Sequence, residues 1–334
     1  MDNQYNKRKT KQFLVFAIGF SLLILSFFFS LSVGASSIDL GTIIHSLFLG
    51  EETQQSRIIQ SLRLPRAIVG AIVGANLGIA GAIMQAITKN PLASPQIFGV
   101  NAGASLMVVI AVVLMPSFSP TNLIFFAFLG AALGGSIVYY MASTGGGMTP
   151  IKLALAGITV HMFLTAMIEG LIIFHEHSTE DILFWLAGAI DGRTWDHVQV
   201  ILPWALIGIV GAMVFAKQLT ILSLGDDMAR GLGQKIALFR IVASVFVIIL
   251  AGSSVAIAGP IGFIGLIIPH IVRKLVGVDY RVVIPASALL GAVLLVLSDV
   301  ISRFISFPAE SPVGIVTALI GGPFFLYLAR KGGQ

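Results

Sequence analysis

Few residues of this chain are of types that carry chemistry, so their spacing matters. His175 and His177 bracket Glu176 in HEHSTED. Two imidazoles and a carboxylate are metal ligands by type, yet histidines two apart lack the i, i+4 spacing with which one helix face holds zinc. A surface loop is the better reading, and no metal site is expected. Ser143, Thr144 and Ser311 have no visible base partner, and no P-loop or other nucleotide fingerprint occurs. The chain has no cysteine, which excludes thiolate sites and disulfides. What remains are ionisable residues inside apolar runs, where each is costly and therefore a functional candidate. His161 and Glu169 lie in one such run, Asp299 and Arg303 in another. Asp299 and Arg303 are four apart and can pair along one helix face. His161 and Glu169 share a face only loosely, and no matching acid or base in another run supports a proton relay between them.

The elements that hold these residues are set by composition. The 334 residues are 57% hydrophobic and 10% charged, with a mean hydropathy of +0.97; a soluble domain carries roughly 25% charged residues. Apolar runs lie near 13–33, 64–87, 97–115, 122–142, 150–174, 198–217, 239–258, 261–276, 283–305 and 313–329. About 20 residues cross a bilayer, and the runs do not alternate as barrel strands do. The expectation is an all-α polytopic membrane protein of about ten transmembrane helices, a single transmembrane domain over 1–334. KRKTK precedes a first run too long for a signal peptide, so 1–12 reads as a cytoplasmic tail. With both termini inside, every lysine falls inside, and only Arg57, Arg63, Arg66, Arg193 and Arg303 fall outside. This is the positive-inside bias, so the net charge of +5 is no argument for nucleic acid.

Three connections are patterned. Ile38, Leu40, Ile43, Ile44, Leu47 and Phe48 predict a helix lying along the outer interface. A short apolar helix is expected around Ile182–Ile190. The segment 219–237, with SLGDDMARGLG at its centre, is too charged to span and too ordered in pattern for a slack linker. Gly70, Gly74 and Gly78, like Gly130 and Gly134, recur every four residues and predict close helix packing. In GPIGFIGLIIPHIVRKLVG, Pro260 is expected in a first helical turn, and Pro269 bends or weakens a short buried helix that ends on Arg273 and Lys274.

Several blocks carry a specific resemblance. LRLPRAIVGAIVGANLGIAGAIMQAITKNPLASPQIFGVNAGAS, SLGDDMARGLG, GPIGFIGLIIPHIVRKLVGVDYRVVIP, LSDVISRF and ESPVGIVTALIGGPFFLYL resemble, in order and spacing, the FecCD-type permeases of vitamin B12 and iron–siderophore ABC importers. The resemblance implies a vitamin B12 permease-like fold of ten helices. It implies a second permease subunit, identical or related, two cytoplasmic ATPase subunits, and an extracytoplasmic siderophore-binding protein. ATP and Mg would sit on the ATPase, which explains the missing P-loop; the subunit itself would bind no cofactor and catalyse nothing. By the same resemblance, Gly225, Asp226, Asp227, Met228, Ala229, Arg230, Gly231 and Gly233 form the segment seated in the ATPase. Arg63, Arg66 and Arg303 match outer-rim bases that meet acids on the binding protein. Met148, Thr149 and Pro150, after Gly145–Gly147, match a cytoplasmic gate, and Leu153, Gly157, His161 and Thr165 the translocation path. The implied cargo is an iron(III)–siderophore, with hydroxamates ahead of catecholates. Haem or cobalamin import, or a proton-coupled secondary transporter using His161 or Glu169, are the alternatives.

Overall fold

The computed structural model describes residues 2–34, 36–49, 53–115, 120–144, 148–175, 179–305, 307 and 309–332. All of its regular structure is helical. Helix α1 (Asp2–Ser32) starts within the expected tail, so residues 2–12 extend the first spanning helix. Helix α2 (Leu40–Phe48) is the expected interfacial helix; Asp39 caps it, its carboxylate accepting from the Thr42 N–H at 3.1 Å. It buries Ile43 and leaves Leu40, Ile44 and Phe48 exposed. Helix α3 (Gln54–Ile58) runs through a π-helical turn at Ile59–Arg63 into α4 (Leu64–Thr88). Pro65 removes an N–H near this junction, and the Leu64 N–H reaches five residues back to the Ile59 carbonyl.

A 3-10 turn at Pro95–Phe98 leads to α5 (Val100–Leu114), α6 (Pro120–Ser143) and α7 (Pro150–Phe174). Thr149 caps α7 and Pro150 occupies its first turn, where no N–H is needed. Helix α8 (Thr179–Leu186) stops short of the expected Ile190, because Gly188 turns at φ 78° and the next backbone bonds elsewhere. The Ala189 N–H donates to the Ala258 carbonyl and the Gly314 N–H to the Gly188 carbonyl. Then come α9 (Trp195–Val214), α10 (Ala216–Ser223), α11 (Asp226–Gly231), α12 (Ile236–Ala258), α13 (Ile264–Val276), α14 (Tyr280–Ile305) and α15 (Val313–Gly332).

Each of the ten apolar runs holds one helix. Among the described residues seven helical stretches are long and apolar enough to cross a bilayer, while α5 and α13 are shorter and the apolar stretch of α15 spans Val313–Leu328. The start of α13 differs from expectation. Gly259 and Phe263 both adopt positive φ, so the helix begins at Ile264 and Pro260 lies in the connection before it. Pro269 is accommodated inside α13.

The core is centred on α4, which packs against α14, α12, α13 and α9. With no aqueous drive to bring helices together in lipid, close backbone approach does the packing. A Cβ at Gly74 would strike the Gly291 carbonyl of α14, and one at Gly78 the Ser287 carbonyl. Gly103 and Gly130 bring α5 onto α6 in the same manner. Apolar side chains of α1, α7 and α9, such as Phe13, Ile18, Ile151, Leu155, Leu206 and Val210, stay exposed. That is the surface of a multi-pass membrane protein, polar inside its bundle ends and apolar around its girth.

Candidate functional site

The fold gathers the polar residues at two ends of the bundle and in one cavity between them. One end holds the start of α1, the end of α4, residues 148–152, α11 and the end of α13. Here Gln12 Nε2 donates to the Val276 carbonyl at 3.1 Å, which ties α1 to α13. The other end holds the end of α1, α2, the start of α4, and the end of α14. Lys89 and Arg240 lie at the first end, and Arg63, Arg66 and Arg303 at the second.

At the first end, Gly225 takes φ 120° and Gly233 φ 76°, with open space around both. These are conformations that side chains resist, so the two glycines frame the six-residue α11 as a separate turn. Its residues divide sharply. Ala229 is fully buried. Asp226 faces the body: Lys89 Nζ donates to Oδ1 at 2.7 Å, and Arg240 Nη2 to Oδ1 and Oδ2 at 2.9 and 3.0 Å. Partial burial works to raise the Asp226 pKa, but Lys89 and Arg240 outweigh it and hold the carboxyl below the ordinary 3.8. Asp227, Met228 and Arg230 point the other way; the Asp227 side chain is fully exposed and Met228 is 58% exposed. Within the segment that the resemblance implies is seated in an ATPase, Asp226 and Ala229 anchor α11 to the body, and Asp227, Met228 and Arg230 face outward.

Met148 joins this end. Its carbonyl accepts from Arg240 Nη1 at 2.8 Å, so one guanidinium touches both α11 and the segment before α7. Lys152 Nζ donates to the Thr144 carbonyl at 3.0 Å and closes the same segment. Gly145–Gly147, which precede the expected gate, lie outside the described residues. Arg240 and Lys89 were missed in the sequence, where they looked like ordinary inside bases.

The second end is an arginine clasp. Asp299 is buried, and Arg66 grips it through Nε at 3.0 and 3.1 Å and Nη2 at 2.7 Å. Arg303 completes the expected i, i+4 pair at 2.5 Å and donates to the carbonyls of Ser30 and Val33 at 2.8 and 2.6 Å. Arg66 Nη1 also reaches Glu310 Oε2 at 2.6 Å. Arg63 donates to the carbonyls of Leu31, at 2.7 Å, Ser32, at 2.9 Å, and Ser36. Arg193 Nε donates to the Ile257 carbonyl at 2.7 Å. The resemblance implies that Arg63, Arg66 and Arg303 meet acids on a binding protein. In this chain all three are buried and donate to internal acceptors. The sequence pattern marked arginine over lysine correctly, since a planar fork can hold several carbonyls or a carboxylate at once.

Between the ends lies a cavity of about 430 Å³ against α7. Gly157, His161 and Thr165 line it with Gln96, Asn101 and Ser105. Leu153 does not; it is packed in the core at 1% exposure. Gly157 has a packing role as well, because a Cβ there would strike the Ile97 carbonyl. His175 ends α7 and its Nδ1 lies 3.0 Å from the Leu171 carbonyl, while Glu176 and His177 lie outside the described residues. Among the described residues no group of three or more histidines and acids could hold a metal ion.

Comparison with known proteins fits this arrangement. The chain is 54% identical over 332 residues to the Fe(3+)-citrate import system permease protein YfmD of Bacillus subtilis (strain 168), covering 99% of both chains. It is 47% identical over 330 residues to the Iron(3+)-hydroxamate import system permease protein FhuB of the same organism, covering 98% of this chain and 86% of that one. Among solved structures, a metal-chelate type ABC transporter in an inward-facing conformation superposes with a TM-score of 0.84 at 30% identity, over 95% of this chain and 99% of that chain. Residues 22–331 match the FecCD transport family, and the chain belongs to it.

Proposed function

We propose that this protein is the membrane-spanning permease subunit of an ABC importer that brings an iron(III) chelate into the cell, driven by a separate ATPase. The observation that carries the reading is α11, a short helix fixed to the body by Asp226 and bare on its Asp227, Met228 and Arg230 face. Such a face is built for a soluble partner, and this chain's sequence has no nucleotide fingerprint of its own. ATP and Mg belong to that partner, and the chain acts as a conduit with no catalytic residue.

In this reading ten helices cross the cell membrane, with α5, α13 and α15 supported by their neighbours, and both termini lie in the cytoplasm. Met148, Thr149 and Pro150 form the gate, and the cavity at Gly157, His161 and Thr165 is one wall of the path. A second permease subunit supplies the opposite wall and covers the exposed Ile151, Leu155, Ile158 and Met162 stripe of α7. The binding protein docks at the clasp end. There Arg63, Arg66 and Arg303 act by fixing the rim, and Glu310, its side chain 38% exposed, is within a partner's reach.

The cavity lining is largely apolar with a few neutral polar side chains and no Asp, Glu, Lys or Arg, which suits passage of a bulky chelate held by weak contacts. The similarity to permeases named for ferric citrate and for ferric hydroxamates supports reading either chelate as the cargo, ahead of haem and cobalamin. Uptake of radioactive iron into proteoliposomes carrying the assembled complex tests the reading. Iron supplied as citrate or as a hydroxamate chelate enters when ATP is present, and omission of the ATPase abolishes entry. Entry that persists without any ATPase subunit would instead support the proton-coupled transporter.

A further inference from the structure

Arg240 is the fifth residue of α12 and is 8% exposed. Its guanidinium is divided between two elements. Nη2 donates to both oxygens of Asp226, the first residue of α11, while Nη1 donates to the Met148 carbonyl just before α7. The guanidinium is planar and rigid, so its two nitrogens cannot move independently. A shift of α11 that drags the Asp226 carboxylate therefore turns the fork and carries Met148 with it. Lys89, in left-handed conformation at the end of α4, holds the same carboxylate from the other side. Thr149 and Lys152 keep the receiving segment short, through the α7 cap and the bond to the Thr144 carbonyl.

We propose that Arg240 is the positioning residue that transmits movement of α11 to the Met148–Pro150 segment, and so links ATP turnover to opening of the path. The inference rests on the reading of α11 as the seat of the ATPase. A residue that served stability alone would hold either partner equally well without the other, whereas a link requires both bonds at once.

Arg240→Lys separates the two roles. Lysine keeps the charge beside Asp226, but one ammonium on a flexible stem cannot hold the carboxylate and the Met148 carbonyl in a fixed relation. In the reconstituted complex, iron chelate transported per ATP hydrolysed should fall about tenfold in Arg240→Lys, within the usual range of coupling between sites. A wild-type ratio in that variant, whether or not the yield of complex falls, overturns the proposal. A parallel Met228→Glu variant keeps the two ideas apart. If it assembles with the ATPase undiminished, the reading of α11 is what fails; if it does not assemble and Arg240→Lys keeps its ratio, only the link fails.

Should Arg240→Lys not fold, the cysteine-free chain allows spin labels in an otherwise native sequence. Labels at Phe13→Cys with Leu232→Cys, and at Phe13→Cys with Thr144→Cys, report α11 and the gate segment against α1. Both distances should change together when a non-hydrolysable ATP analogue binds the complex. A change at Leu232 with none at Thr144 would overturn the link.

Discussion

Each end of the bundle places one aspartate between two cations, and the two arrangements differ in what surrounds them. Asp299 lies between Arg66 and Arg303 with 2% of its side chain exposed; Asp226 lies between Lys89 and Arg240 with 31% exposed. In the dry setting neither charge can be abandoned, because a buried ion left without its partner costs about 3–5 kcal/mol. Nearer water, a pair such as Lys89 and Asp226 is worth only about 0–1 kcal/mol, although Arg240 on the same carboxylate is itself buried. The clasp end is thereby locked, joining α4, α14 and the end of α1. The α11 end is held less tightly, and what it holds is a six-residue helix whose far face is bare. Identical chemistry gives a rigid rim and a movable lever according to burial.

The comparison breaks most visibly at Asp299. Asp299→Asn leaves two buried guanidiniums side by side, and we expect a loss of about 3–5 kcal/mol. Thermal unfolding of the detergent-purified protein would show it as a large drop in midpoint; an unchanged midpoint would mean that the clasp is not what locks this end. Arg63→Gln comes next, since it gives up charge-assisted bonds to backbone carbonyls of α1 and its exit, worth about 1.5–3 kcal/mol. A variant of normal stability that bound the binding protein less tightly would instead place Arg63 on the docking surface itself.

Asp226 sharpens the other side of the comparison. Its pKa is lower folded than unfolded, so its contribution is fully present above the ordinary value of 3.8 and is lost as pH falls through the lower folded value. Hydrogen exchange over 226–231 should accelerate in that acid range, and Asp226→Asn should show the same acceleration at neutral pH. Exchange that is indifferent to both would show that Ala229 alone secures α11. The smallest effect on folding belongs to Asp227→Ala, whose fully exposed side chain should leave the unfolding midpoint where it was.

The helices themselves were readable because apolar runs of bilayer length leave few alternatives, and each run holds one helix. Their edges were not. The end of α8 and the start of α13 depend on positive-φ turns at Gly188, Gly259 and Phe263, which apolar periodicity does not register. The pairing of Asp299 with Arg303 was visible because both lie on one helix four residues apart. Arg66, 233 positions from Asp299, was not, since only the packing of α4 on α14 brings them together. Arg240 was hidden for the same reason, its partners being supplied by separate elements. Spacing also cannot tell a buried arginine from an exposed one, so the burial of Arg63, Arg66 and Arg303 was not readable in the sequence.

The claim on which the rest depends is that the bare face of α11 receives the ATPase. Co-purification of the ATPase subunit with wild-type chain and with Met228→Glu measures it directly. The account predicts that Met228→Glu keeps its unfolding midpoint and loses most of the bound ATPase. Undiminished ATPase on a folded Met228→Glu chain would contradict it.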